Sequence, residues 1–265
     1  MKVTFIKLGG SLITDKNTPY TARIDIIERL VGEISQALEE SPDLRLLIGN
    51  GAGSFGHQSA AKYGTADGFS DSKGRFGFAY VQNDAVRLNR IVVEKFLDKG
   101  IAAVGFQPSA IMVSSSKKPV FVEDQVIRDF LKKDLIPVLY GDTIIDREIG
   151  STIFSTDKVI ELIASKIIKD KEFEAQKMLS VGDYDGVMDD TGTVIPMINE
   201  QNFEEVSKFF YDSGKVDVTG GMAAKVKELL ELSRSGIPSQ IINGSVENRL
   251  YKALKGEEVL GTVIK

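Results

Sequence analysis

The sequence predicts one continuous α/β/α fold, three layers deep, with a mostly parallel central sheet. Short β-rich apolar runs alternate with longer segments of helical periodicity, the pattern of strands joined by crossover helices. Glycine-rich turns follow several of those runs directly, as where a strand hands over to a helix. The chain has 265 residues, room for one large α/β domain or two tightly joined lobes.

Taken in order, the first strand runs from Val3 to Leu8 and ends at Gly9-Gly10-Ser11. A helix follows from about Ile24 to Leu38, because Ile24, Ile27, Val31, Ile34 and Leu38 share one face at a 3.6-residue period. Leu44 to Ile48 is the next strand and opens into Gly49-Asn50-Gly51-Ala52-Gly53. The polar segment Gly64 to Gly77 reads as a surface connection. A long helix then reaches Lys99, with Gly100 just past its end. Ile101 to Val104 and Ile136 to Tyr140 read as buried strands, with a helix over Gln125 to Lys133 between them. Hairpins over Ile111 to Val122 and Thr143 to Ser155 interrupt the rhythm. A helix from Thr156 to Ile168, a strand from Lys177 to Val181 and a helix beginning near Met222 and ended by Gly236 come next. Strands near Gln240 to Ile242 and Thr262 to Ile264 complete the reading. There is no internal repeat; a soft boundary falls near Asp170 to Gln176.

Composition narrows the function. The formal net charge is -5, which disfavours a nucleic-acid binder, whose surface carries a basic face. An acidic chain that handles phosphate must gather its cations locally. With no Cys, disulfides, thiolate metal sites and a cysteine nucleophile are excluded, in keeping with a reducing compartment. The N-terminal apolar run is too short for a signal peptide, and no run is long enough to span a bilayer. The expectation is a cytoplasmic protein.

Three glycine-rich loops carry the candidate chemistry: Lys7-Leu8-Gly9-Gly10-Ser11 with Lys16 behind it, Gly51-Ala52-Gly53-Ser54-Phe55-Gly56-His57, and Asp217-Val218-Thr219-Gly220-Gly221-Met222 with Lys225 one turn on. Glycine lets backbone approach a ligand, and a helix start offers unpaired N–H groups to an anion. One such loop is commonplace. Three in one chain, two with a nearby lysine and one ending in the sole histidine, point to phosphate. The P-loop signature and the His-Arg-Asp set of protein kinases are both missing.

Those motifs resemble the amino-acid-kinase family. Lys7 to Ser11, Tyr140-Gly141-Asp142, Asp183-Tyr184-Asp185-Gly186-Val187 and Val218 to Met222 with Lys225 follow that family's order. Gly53 to His57, Arg75 to Ala79, Gln107 to Ala110 and Gly261 to Ile264 are most similar to its isopentenyl phosphate kinase branch. The resemblance runs from Lys2 to Ile264 and implies the amino-acid-kinase fold in a single domain over residues 1–265. An acceptor-binding lobe would cover about 1–170 and a nucleotide-binding lobe about 171–265. The implied reaction moves the γ-phosphoryl of ATP to isopentenyl phosphate, with Mg²⁺ accompanying the nucleotide and no metal ligand from the protein, in a homodimer.

By the same resemblance, Lys7, Leu8, Gly9, Gly10 and Ser11 line the ATP phosphates, with Gly53, Gly221 and Asp183 at the nucleotide edge. Lys16 stabilises the group in transfer and Lys225 reaches the β- or γ-phosphate. Ala52, Gly53, His57 and Gly150 hold the acceptor, and Asp157 orients the lysines. Phe76, Phe78 and Tyr80 either wall the isopentenyl pocket or are ordinary core. Gly182-Asp183-Tyr184-Asp185 stands where the family pattern has Thr-Asp-Val-Asp. A kinase for another small phosphate or phosphonate, or a silent nucleotide-binding protein on the same fold, remains open at this stage.

Overall fold

The computed structural model describes residues 1–169, 171–210 and 221–265. Strand β1 (Lys2–Leu8) runs into the short helix α1 (Gly10–Ile13), and α2 (Ile24–Glu40) leads to β2 (Arg45–Asn50). Next come α3 (Gly53–Tyr63), the long α4 (Ser72–Asp98), β3 (Ala103–Gly105) and α5 (Pro108–Ile111). The hairpin of β4 (Met112–Ser115) and β5 (Lys118–Val122) precedes α6 (Gln125–Lys132) and β6 (Ile136–Tyr140). A second hairpin, β7 (Asp142–Asp146) with β8 (Gly150–Phe154), leads to α7 (Thr156–Ile167) and β9 (Glu174–Gly182). The remaining elements are β10 (Met197–Ile198), α8 (Phe203–Ser207), α9 (Gly221–Arg234), β11 (Ser239–Asn243), α10 (Arg249–Lys255) and β12 (Gly261–Ile264).

The alternation of β1 generates the layers. Successive side chains of a strand face opposite ways, so Val3 and Phe5 enter the core under α6, α7 and α9, while Ile6 and Leu8 enter the core under α2, α4 and α10. A strand buried on both faces belongs in the middle of a parallel sheet. β1 pairs in parallel with β2 on one flank and β9 on the other. The full order is β10-β12-β11-β9-β1-β2-β6-β3, and only the β11–β12 pair is antiparallel. The two hairpins combine into a second, four-stranded sheet, β5-β4-β7-β8. The three layers and the mostly parallel sheet are those expected.

Two parts of the sequence reading change. The segment from Gly64 to Gly77 is only partly a connection, because α4 already starts at Ser72, where Asp71 caps it by accepting from the Gly74 N–H at 2.8 Å. Gly77 serves contact: a Cβ there would lie 2.4 Å from the Tyr63 Cβ, so the missing side chain lets α3 and α4 touch. The short elements β10, α8 and α10 had no visible pattern. Asp170 and the loop Asp217 to Gly220 lie outside the described residues.

Candidate active site

The parallel strands end together, and open α/β sheets bind ligands beyond those ends. The chain passes from β1 through α2 to β2 and later lays β9 on the other flank of β1. The turns after β1, β2, β6 and β9 therefore meet around one cavity of about 700 Å³. Gly9 to Ser11, Gly51 to Gly53, Gly141, Asp142 and Gly182 to Tyr184 all line it, with Asp157 of α7 and Lys225 of α9 opposite.

The first two glycine loops are in backbone contact. A Cβ at Gly10 would lie 2.4 Å from the Gly53 nitrogen, and one at Gly51 2.5 Å from the Gly10 nitrogen. Thr14 pins the junction: its hydroxyl donates to the Gly10 carbonyl at 2.7 Å and accepts from the Ser54 N–H at 3.0 Å. Gly53 itself has φ +49 and no room for a side chain beside Thr14. Nothing but glycine lets these backbones close up while keeping N–H groups at the cavity wall.

Lys7 follows from strand periodicity. It shares the face of Val3 and Phe5, and so points at α7, where Asp157 in the first turn meets its ammonium at 2.9 Å. α7 is fixed there by Ser155, whose side chain accepts from the Lys158 N–H at 3.0 Å, and by Thr156, whose hydroxyl donates to the Asn50 carbonyl at 2.9 Å. α7 also lies tight on the sheet, since a Cβ at Gly49 would lie 2.7 Å from both Ile160 and Thr156. Burial pushes the Asp157 carboxyl upward, but Lys7 and Lys225 together hold it below its ordinary value. Its Oδ1 is buried without a partner among the described residues.

Lys16 reaches the cavity from the loop after α1 and donates to Asp183 at 2.9 Å, with 63% of its side chain exposed. Ser11 donates to the other Asp183 oxygen at 3.2 Å. Burial raises the Asp183 carboxyl, yet the hydrogen bond and charge of Lys16 bring it net below the usual carboxylate range. Lys225 donates to the Tyr184 hydroxyl and stands 4.8 Å from the centre of that ring. Lys7, Lys16 and Lys225 thus converge on one space, each on an anionic or aromatic partner.

His57, exposed one turn into α3, lines the same cavity with Ala52 and Gly53. Part of the wall is apolar, made by Ala60, Val81, Ala85, Ile153 and Phe154. Asp142 interrupts this wall. Burial raises its carboxyl to about 6, although it accepts from the Ser109 and Thr143 N–H groups at 3.0 and 2.8 Å.

Not every expected residue arrives. The Leu8 side chain points into the core under α2, so only its backbone adjoins the loops. Gly150 does not line the cavity; it has φ +93 and a Cβ there would lie 2.5 Å from the Phe69 carbonyl oxygen. It is the far end of β8, Ile153 and Phe154, that reaches the site. Gly221 opens α9, whose next residue, Met222, is already at the cavity. Phe76 and Tyr80 do not wall the pocket: they stack with Tyr63 at 5.9 and 5.6 Å on the outside of α4, and Phe78 packs on Phe69. Sequence reasoning gave no role to Thr14, Tyr184 or Glu228; Tyr184 stood out as a departure from the family's Thr-Asp-Val-Asp and Glu228 as an acid one turn beyond Lys225, while Thr14 carried no signal.

Convergent lysines, glycine turns and helix starts at the ends of a parallel sheet define a phosphate-handling α/β enzyme. The amino acid kinase family profile matches residues 2–243, and the chain belongs to that family. Isopentenyl phosphate kinase of Methanocaldococcus jannaschii is 34% identical, over 99% of this chain and 98% of its own. That of Methanothermobacter thermautotrophicus is also 34% identical, over 98% and 97%. An X-ray structure of isopentenyl phosphate kinase superposes with a TM-score of 0.82 at 32% identity, covering 99% of this chain and all of that one. The similarity to that branch, first visible in the glycine-histidine loop, extends over the whole chain.

Proposed function

We propose that the protein transfers the γ-phosphoryl group of ATP to isopentenyl phosphate, giving isopentenyl diphosphate and ADP for isoprenoid synthesis. The observation that supports this best is the mixed lining of one cavity: lysines, glycine turns and His57 together with an apolar wall of Val81, Ala85, Ile153 and Phe154. An acceptor with a phosphate head and a short hydrocarbon tail matches that lining.

An oxygen of the acceptor phosphate attacks the γ-phosphorus, and the bond from that phosphorus to the β-phosphate oxygen breaks. The acceptor phosphate is already deprotonated at neutral pH, so no general base is required. Positioning and electrostatics then carry the reaction. Lys7, Gly9, Gly10, Ser11 and Lys225 receive the nucleotide phosphates, while Lys16 neutralises the group in flight. Ala52, Gly53 and His57 take the acceptor phosphate, and Asp157 keeps Lys7 and Lys225 in place. The acceptor-binding lobe covers about residues 1–170 and the nucleotide-binding lobe about 171–265, with the glycine loop after β1 reaching from the first to the nucleotide phosphates. Mg²⁺ would accompany ATP and neutralise phosphate charge there. The reading includes a cytoplasmic homodimer; no described helix is long and apolar enough to cross a membrane.

The test is ATP consumption with isopentenyl phosphate, methyl phosphate and a small phosphonate as acceptors. Burial of four further carbons, at about 0.8 kcal/mol each, favours isopentenyl over methyl phosphate by on the order of 10²-fold in kcat/KM. Equal use of both, or preference for the phosphonate, would refute the assignment.

A further inference from the structure

The segment after β9 holds an aromatic ring where a phosphate site needs little apolar surface. Tyr184 lies between two acids that are both tied down. On one side Asp183 accepts from Ser11 and Lys16; on the other Asp185 accepts from Arg249 and Asn243. Just beyond, the Val187 N–H donates to the Thr262 hydroxyl at 2.8 Å. The backbone on both sides of the ring is therefore fixed. Below it, Gly182 clears the space: a Cβ there would lie 2.6 Å from Tyr184 Cζ and 2.9 Å from its hydroxyl oxygen. The ring lies at the cavity wall, with its hydroxyl meeting Lys225 of α9.

We infer that Tyr184 is a positioning residue that holds Lys225 in its working place before the nucleotide arrives. One contact makes the case. The Lys225 ammonium donates to the Tyr184 hydroxyl at the tip of the ring. That bond fixes where the ammonium sits, whereas a lysine otherwise has four rotatable bonds to order on binding. The other two lysines have carboxylates as partners, Asp157 for Lys7 and Asp183 for Lys16. A third carboxylate would give Lys225 a full counter-charge that an incoming phosphate must displace. A neutral phenol orients the ammonium without adding a further counter-charge to that of nearby Asp157. Burial, followed by opposing effects of Lys7 and Asp157, pushes the Tyr184 hydroxyl up to about 12, so it remains neutral. Gly182 and Tyr184 form one device, since a side chain at the first would expel the ring at the second.

The role rests on the proposed phosphoryl transfer, and the test separates the two. Tyr184→Phe keeps the ring and removes the hydroxyl; it should lower kcat about tenfold while ATP affinity changes less than about threefold. In a Lys225→Met background the same substitution should change kcat less than about twofold, because there is no ammonium left to orient. Gly182→Ala, which displaces the ring, should give the Tyr184→Phe pattern with the tyrosine still present. Loss by the same factor in both backgrounds, or no loss in Tyr184→Phe, overturns the inference. If the wild type makes no isopentenyl diphosphate, the functional reading fails and a second measurement decides on Tyr184. With lysines ¹³C-methylated and Lys225 assigned through Lys225→Arg, its signal should carry a ring-current shift that Tyr184→Leu abolishes. A signal indifferent to Tyr184→Leu refutes the contact without recourse to activity.

Discussion

Replacing Asp157 by Ala tests the charge arrangement at its most buried point. The Lys7 and Asp157 side chains are only 10% and 13% exposed, with 2.9 Å between their charged atoms. Removing one member of a buried pair leaves the other charge desolvated and alone, at a cost of several kcal/mol. This pair opens onto a cavity that water enters, so the low end applies, about 3 kcal/mol. At about 2.1 cal/mol/K of unfolding entropy per residue, a 265-residue chain then melts roughly 5 °C lower. ATP reverses part of the loss, because its phosphates supply the counter-charge that Asp157 gave. Thermal unfolding with and without ATP should thus show a lower Tm for Asp157→Ala and a larger nucleotide-induced rise than in the wild type. A variant within about 1 °C of the wild type, or an equal rise in both proteins, would falsify the assignment of Lys7 to the phosphates.

Two further outcomes follow from the same cavity. His57→Ala should raise the KM for isopentenyl phosphate and lower turnover, leaving ATP affinity within about twofold, and His57→Gln should recover part through its remaining donor; unchanged acceptor kinetics in both would make His57 structural. Burial, then the charges of Asp157 and Glu161, raise the Glu228 carboxyl from its ordinary 4.5 to about 7. The folded state keeps that proton while the unfolded chain releases it, so stability falls as pH rises from 4.5 to about 7 and the loss is complete above that. The loss is on the order of 2 kcal/mol after discounting for partial solvent access, and urea unfolding of Glu228→Gln should lack it; parallel pH profiles of variant and wild type would refute the assignment.

The fold was legible where a residue's environment is set by its neighbours in sequence. β1, β2 and β6 are buried on both faces, and each reads as an apolar run. The periodic face of α2 is the face it buries, through Ile27, Leu30, Val31 and Ile34. Legibility failed where a partner far along the chain decides. β10 is two residues long and exists because Met197 and Ile198 pair with Val263 and Ile264. The glycines between Gly64 and Gly77 looked like loop because glycine is a loop residue in isolation, whereas Gly77 is a contact glycine in a helix. No local pattern separates these two uses.

The same division runs through the site. Lys7, Gly10, Gly53 and Lys225 were legible because each stands at a fixed offset from a strand end or helix start, and that offset alone aims it at the crevice. The apolar wall was not, because it comes from the middle of α4 and the end of β8, which meet only through the tertiary fold. Aromatic residues misled for a related reason. Phe76 and Tyr80 are four apart on α4 and so share a helix face that packs against Tyr63 of α3, while Val81 and Ala85, also four apart, share the face that meets the cavity. One residue of helix rotation separates Tyr80 from Val81, about 100°, and it decides which row lines the site. Hydrophobicity identifies the stripes of a helix, but the packing of α3 against α4 through Gly77 selects the stripe that faces the cavity.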